Sequence, residues 1–435
     1  MKDAVRARRS APLTLRTYAG LASCAALLTP IWLAHRARKG KEDAARLAER
    51  RGQASQARPN GPLVWIHGAS VGEIISVLPL SERLLERGFA CLITSGTLTS
   101  SRIVAQRGHR DLIHQFIPLD APRFVSRFLD HWQPDLALIA ESELWPTLFR
   151  QLGRRAIPMV LVNARLSQRS AKRWARLPGT AKALLGHADI ALAQTPDDAD
   201  RLRALGAPRV EVTGNLKFDA PAPPADPGAL AALTRRIGSR PLFLAASTHP
   251  GEESIVIAAH LRLREALPGL LTVIAPRHPE RGTQVRQEAE AAGLRALQRT
   301  TDSLPGALTE IYVADTIGEL GLFYRLAPIV LMGGSLVRHG GQNPIEAAKL
   351  DAVVLHGPHV WNFADLYSHL DQRGGAVPVE TQDDLVAAVL SYATDPALHA
   401  GTCEAARAFT LALGGALERT LSAIEPYLVQ LRLEA

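Results

Sequence analysis

Residues 64–73 read VWIHGASVGE, and the last letter carries the difficulty. A short apolar run ends at Gly68, and Ser70, Gly72 and Glu73 then open a new segment, as a strand does when it passes through a loop into a helix. A junction of this kind suits a phosphate, yet Glu73 puts a carboxylate there. Ser70-x-x-Glu73 is also a capping-box spacing, in which the glutamate satisfies backbone N–H groups at the start of the helix. Two readings stand side by side: Glu73 caps the helix, or Glu73 does chemistry.

The same strand-then-helix unit recurs on both sides of this stretch. LVWIHG, ACLITS, LALIAES, MVLVNA, IALAQT and VEVTGN fill the first half; PLFLAAS, LTVIAP, IYVAD, PIVLMGG and AVVLHG fill the second. Continuous β-branched runs alternating with helical patterns predict parallel sheets buried on both faces. Between the two sets, DAPAPPADPG (219–228) carries four prolines in ten residues, a stiff linker. The fold class expected is therefore α/β, with two Rossmann-like domains facing a central cleft. The boundaries are 46–220 for the first domain, 221–228 for the linker, and 229–435 for the second domain with its terminal helices. Ligands would sit at the carboxyl ends of the strands.

The composition, 47% hydrophobic and 21% charged, is that of a globular chain. The net charge of +8 is not spread along it. Residues 1–60 hold 13 Lys plus Arg against 4 Asp plus Glu, and the remainder holds 37 against 38. The basicity belongs to the N-terminus, so no nucleic-acid partner is expected. Thr17 to Ala34 is free of charge for 18 residues, about 27 Å as a helix, with Arg6, Arg8, Arg9 and Arg16 before it and Arg36, Arg38, Lys39 and Lys41 after. Residues 1–45 read as an uncleaved membrane anchor and its connector, either spanning the bilayer or lying in its interface with the basic flanks on anionic headgroups. Three isolated cysteines give no disulfide framework and no metal spacing.

The unusual residues gather where strands end. Thr316-x-x-Glu319 and Asn343-x-x-Glu346 repeat the spacing of Ser70-x-x-Glu73, with Pro344 at an expected first helical position and Ile345 following it. Capping explains each of the three alone. Gly72 and Gly318, however, would fall in first helical turns, where glycine costs up to about 1 kcal/mol against alanine. Glycine there fits a ligand lying close to the backbone, so Ser70 and Gly72 are candidate anion or acceptor contacts. Arg277 after Pro276, and Lys217 in GNLK, supply positive charge; each also reads as an ordinary surface cation. Glu141 and Glu143 share a strand end, where paired carboxylates need a cation such as Lys217. His249, His278 and His339 are 29 and 61 residues apart and match no short metal motif. Neither a G-x-x-x-x-G-K-[ST] loop nor a G-x-G-x-x-G follows the first strand.

Taken in order, HGASVGE (67–73), ESELWP (141–146), NARLSQRS (163–170), GNLKFD (214–219), ASTHPGEE (246–253), PRHPER (276–281), DTIGELGLFY (315–324), GGSLV (333–337), GGQNPIEAA (340–348) and NF (362–363) resemble the 3-deoxy-D-manno-octulosonic acid (Kdo) transferases of lipopolysaccharide synthesis. The resemblance covers roughly 300 residues and implies the GT-B glycosyltransferase fold. It implies transfer of Kdo from CMP-Kdo to the lipid A precursor, with inversion, at the cytoplasmic face of the inner membrane. Carried over by position, Glu73 is the proton acceptor, and Glu143 and Lys217 stabilise the transition state. CMP falls on Pro276, Arg277, Ile317, Gly318, Glu319, Asn343, Pro344, Ile345 and Glu346. Four places depart from the family pattern: Ser142, Thr147, the run Thr97-Leu98-Thr99-Ser100, and Gln342 in place of histidine. A phosphate monoester leaving group needs only Arg, Lys and backbone N–H groups, so no metal or other cofactor is expected. The alternatives are a GT-B enzyme using another nucleotide sugar and a membrane-tethered nucleotide-binding module without catalysis; donor comparison and CMP binding without transfer separate them.

Overall fold

A computed structural model describes residues 12–434 apart from 142–143, 220–221 and 303. The chain forms two compact units, one from residues 1–220 with 413–435 and the other from residues 221–412. In the first unit, β1 (Leu63–Gly68), β2 (Ala90–Ser95), β3 (Ile113–Phe116), β4 (Leu136–Ala140), β5 (Met159–Ala164), β6 (Ile190–Ala193) and β7 (Val210–Val212) form one parallel sheet ordered β3-β2-β1-β4-β5-β6-β7. In the second, β8 (Leu242–Thr248), β9 (Leu271–Pro276), β10 (Ala296–Gln298), β11 (Ile311–Val313), β12 (Ile329–Met332), β13 (Val353–His356) and β14 (Ala376–Pro378) are ordered β10-β11-β9-β8-β12-β13-β14, again all parallel. The winding reverses direction once in each sheet, between β1 and β4 and between β8 and β12. In doubly wound sheets such a reversal leaves a crevice past the carboxyl ends of the two strands.

Alternation within each apolar run explains why the runs are continuous. Leu63, Trp65, Ala137, Ile139, Met159 and Leu161 point to one face of the first sheet and pack with Phe128, Trp132 and Phe149. Val64, Ile66, Leu136, Leu138, Val160 and Val162 point to the other and pack with Ile74 and Val77. Each large side chain so enclosed stabilises the fold by about 1.5–3 kcal/mol. Three strands, β3, β10 and β14, have no counterpart in the sequence reading. All three lie at sheet edges, and edge strands are short and tolerate polar residues such as His114 and Gln115.

The C-terminal boundary is corrected by the packing. The sequence reading gave everything to residue 435 to the second domain, but the helix Ala416–Glu434 inserts Leu421, Ile424 and Leu428 into the core of the first sheet. The Asp219 carboxylate fastens its start, accepting the Gly415 N–H at 2.6 Å. A terminal helix has no sequence mark that says which of two sheets it covers. The N-terminal helix, Leu13–Arg38, is long and apolar enough to cross a membrane. Leu15, Ala26 and Leu33 are buried, whereas Leu21, Leu27, Leu28 and Ile31 are exposed.

Ile424→Ala, although more than 200 residues from β7, is expected to destabilise the first unit by about 2–5 kcal/mol. Urea unfolding followed by tryptophan emission reads this, since Trp65 and Trp132 are buried on the opposite face of the same sheet. An unchanged midpoint would return the helix to the second unit.

Candidate active site

In the first unit the site is built at the carboxyl ends of β1 and β4, where the strand order reverses. Ser70 caps the helix Val71–Glu86, its Oγ accepting the Glu73 N–H at 3.3 Å and donating to Glu73 Oε1 at 2.7 Å. Glu73 Oε2 accepts the Ala69 N–H at 2.9 Å, so the carboxylate is oriented through both oxygens, and the residue is 7% exposed. The capping reading is therefore realised at the start of this helix. Lys217 reaches the same place from the short helix Leu216–Phe218: a methyl group added at Gly72 would lie 3.9 Å from its Nζ. That Nζ donates to Glu141 Oε1 at 2.7 Å. Glu143 and Ser142 lie outside the described residues.

The backbone here is strained. Glu141 and Asn163, at the ends of β4 and β5, have φ of 55° and 52°, a left-handed conformation that costs of order 1–3 kcal/mol when glycine is absent. Asn163 is fully buried and its Oδ1 accepts the Leu216 N–H at 3.0 Å, while Asn215 Oδ1 accepts the Lys217 N–H at 3.0 Å. Two asparagines thus place the lysine. The sequence signal for Asn163 is a lone amide closing the apolar run MVLVNA, and for Glu141 its position beside Glu143. Upstream on β1, His67 is fully buried with Nδ1 2.9 Å from Thr94 Oγ1, and burial holds it down to about 4, a neutral imidazole. Two of the departures are absorbed locally. Thr147 N–H and Oγ donate to Asp120 at 2.9 Å each, and Thr97 forms a capping box with Ser100.

In the second unit the corresponding reversal, between β8 and β12, is held by Glu252. This fully buried carboxylate accepts four backbone N–H groups: His249 at 2.9 Å, Gly334 at 2.7 Å, Ser335 at 3.0 Å and Leu336 at 2.9 Å. Glu253 beside it is raised by burial, with Arg281 at 2.6 Å and Thr248 Oγ1 at 3.0 Å opposing the shift. Pro276 ends β9 in the interior, and Arg277 emerges from it exposed, without an ion pair to any described residue.

Two expectations about helix starts change. Gly318 is not in a helical turn; it takes φ of 88° ahead of the helix Leu320–Leu326, a conformation that favours glycine. Glu319 does not cap through a box. Its carboxylate pairs with Arg299 at 2.8 Å and meets Thr316 Oγ1, and the Arg299 hydrogen bond holds it below the usual carboxylate range. Ile317 projects into solvent, 88% exposed. The helix Ile345–Ala348 has only four residues, with Pro344 as its cap rather than its first residue and the Asn343 side chain accepting the Ile345 N–H at 3.2 Å. A single turn has little macrodipole, so any anion there meets individual N–H groups. Ile345 is buried and Glu346 exposed. No group of three or more His, Cys, Asp or Glu side chains placed to hold a metal occurs among the described residues.

Two doubly wound parallel sheets in one chain, each with its polar residues gathered past the strand ends at the reversal, define the GT-B class. A family model described as 3-deoxy-D-manno-octulosonic-acid transferase (kdotransferase) matches residues 45–220. The 3-deoxy-D-manno-octulosonic acid transferase of Haemophilus influenzae is 36% identical over 400 residues, covering 88% of this chain and 91% of that protein. That of Bordetella pertussis is 36% identical over 411 residues, covering 92% and 96%. The chain belongs to the 3-deoxy-D-manno-octulosonic acid transferase family and is a glycosyltransferase. A likeness of fold alone extends to a UDP-N-acetylglucosamine 2-epimerase described as putative, from Listeria monocytogenes, with a TM-score of 0.57 at 17% identity, covering 85% of this chain and 97% of that one.

Glu252→Gln turns an amide N–H₂ toward backbone donors and is expected to cost about 2–4 kcal/mol. Hydrogen exchange should show lost protection at Gly334, Ser335 and Leu336. Retained protection at all three would mean that the loop is held by other contacts.

Proposed function

We propose that the protein transfers Kdo from CMP-Kdo to a lipid A precursor with inversion. The carrying observation is the Glu73 carboxylate, oriented through both oxygens, beside the Lys217–Glu141 pair at the reversal of the first sheet. The acceptor hydroxyl oxygen attacks the anomeric carbon of Kdo from the face opposite the phosphate. As the new C–O bond forms, the bond to phosphate breaks, CMP leaves with the electron pair, and the hydroxyl proton passes to Glu73. Ser70 and Ala69 hold the carboxylate still, which lowers the reorganisation needed at the moment of transfer. Lys217 supplies positive charge near the developing charge, with Glu143 assigned the same stabilising role by family position.

CMP is assigned to Pro276, Arg277, Ile317, Gly318, Glu319, Asn343, Pro344, Ile345 and Glu346. Arg277 offers its guanidinium to the phosphate; Glu319 contributes the loop it fixes through Arg299 rather than a free carboxylate. The charge on CMP is met by protein groups, so transfer proceeds without a divalent ion. The protein works at the cytoplasmic face of the inner membrane, held there by the helix Leu13–Arg38. The exposed Leu21, Leu27, Leu28 and Ile31, followed by Arg36, Arg38, Lys39 and Lys41, support this placement.

Product mass after incubation of the purified protein with CMP-Kdo and lipid A precursor tests the assignment; no Kdo-bearing product would overturn it. Glu73→Gln keeps the hydrogen bonds with Ser70 and Ala69 available but cannot take the proton. It should melt within a few degrees of the parent and lose transfer by about 10²-fold or more, and near-normal turnover would remove Glu73 from the chemistry. Saturating EDTA should leave the initial rate unchanged, and loss restored by Mg²⁺ would reverse the metal-independent assignment.

A further inference from the structure

His249, His278 and His339, scattered in sequence, meet in the second unit. His249 follows β8 at the strand reversal and is 4% exposed. The His339 ring lies against it with centroids 3.6 Å apart, and the His278 ring stands edge-on at 6.1 Å. Gln342 Nε2 lies 3.3 Å from His249 Nε2. Behind the ring, a Cβ added at Gly334 would come within 3.1 Å of His249 Cδ2, so the imidazole is wedged against backbone. Among the described residues no carboxylate pairs with it. Glu252 is committed to four N–H groups and Glu253 to Arg281 and Thr248, while Glu280, exposed, lies 3.7 Å from His278. The charges around His249 are otherwise positive: His339, His278, Arg277 and Arg281 all oppose its protonation, after burial itself, and hold it down to about 4.

A buried imidazole among positive groups favours an anionic partner. With the Gln342 amide donating to Nε2, the ring proton stays on Nδ1, an uncharged donor. Resting on the functional reading above, the donor has two negative groups on one carbon: an octulosonic acid carries its carboxylate on the anomeric carbon, which also bears the CMP phosphate. Arg277, assigned to the phosphate, leaves the second anion without a partner. We propose that His249, backed by His339 and Gln342, binds the carboxylate of the donor sugar and so selects a ulosonic acid over sugars without that group. His339, exposed above the ring, packs against the imidazole and fixes its orientation. Gln342, the departure from the family's histidine, sets the tautomer.

The test separates carboxylate from nucleotide. His249→Phe keeps a flat ring against His339 and removes the donor. In the full-length protein the affinity for CMP, measured by titration calorimetry, should stay within about twofold, while KM for CMP-Kdo rises about tenfold or more, as loss of a hydrogen bond to a charged group implies. Equal loss of CMP affinity and CMP-Kdo affinity would overturn the proposal, because the ring would then serve the nucleotide or the fold. An unchanged KM would overturn it as well. If His249→Phe does not fold, His339→Ala at the exposed partner decides: a rise in KM of about threefold with CMP affinity intact supports the proposal, and no rise sinks it. Failure of the parent protein to use CMP-Kdo at all is a separate result, which removes the functional reading on which the proposal stands.

Discussion

A parallel sheet covered on both faces leaves little room for polar side chains along its strands, and in this protein the charged groups gather where the strands stop. Trp65, Ile66, Leu138 and Val160 fill the two faces of the first sheet; Ser70, Glu73, Glu141 and Lys217 appear within a few residues of a strand end or of the chain returning to one. The same displacement puts His249, Glu252 and Arg277 past β8 and β9. The winding reversal then selects which ends matter, because only there does no crossover connection close over the strand tips.

Holding reactive groups at such tips requires local structure that the sheet does not supply. The first unit uses the Ser70 helix cap with Glu73 bonded back to it, and two left-handed residues, Glu141 and Asn163. The second uses one carboxylate, Glu252, as the centre of four backbone hydrogen bonds. Strain in one place and a buried charge in the other are both costly, and both fix geometry. Glu73 shows why structural and chemical roles need not compete. Hydrogen bonds from Ser70 and Ala69 orient the carboxylate, so the group that closes the helix start is also held in the fixed geometry that the proposed proton transfer requires.

Much of this was legible from the chain. The eleven apolar runs named strands because burial on two faces forces them to be apolar throughout, and the proline-rich segment fell at the change of unit. The three edge strands were not legible, since an edge is excused from that requirement. Glu73 and Lys217 could be singled out by spacing and position, whereas their proximity to each other and to Glu141 depends on where β4 and the segment after β7 lie in space. Thr316-x-x-Glu319 was misread because a capping spacing says nothing about Arg299, twenty residues away, which claims the glutamate. The three histidines could be placed past their strand ends, but that their rings meet could not be read, for the same reason: contacts across 29 and 61 residues leave no periodic trace.

The C-terminal helix bears on how the chain is made. Residues 221–412 are contiguous and complete once synthesised, but the first unit awaits Leu421, Ile424 and Leu428, which leave the ribosome only after the whole of the second unit. Until they arrive, the face of the first sheet carrying Val64, Ile66 and Leu138 lacks part of its cover. The earlier unit in sequence is thus the later one to finish, and for the length of some 200 residues of translation it holds an apolar surface open to chaperones or to misassociation.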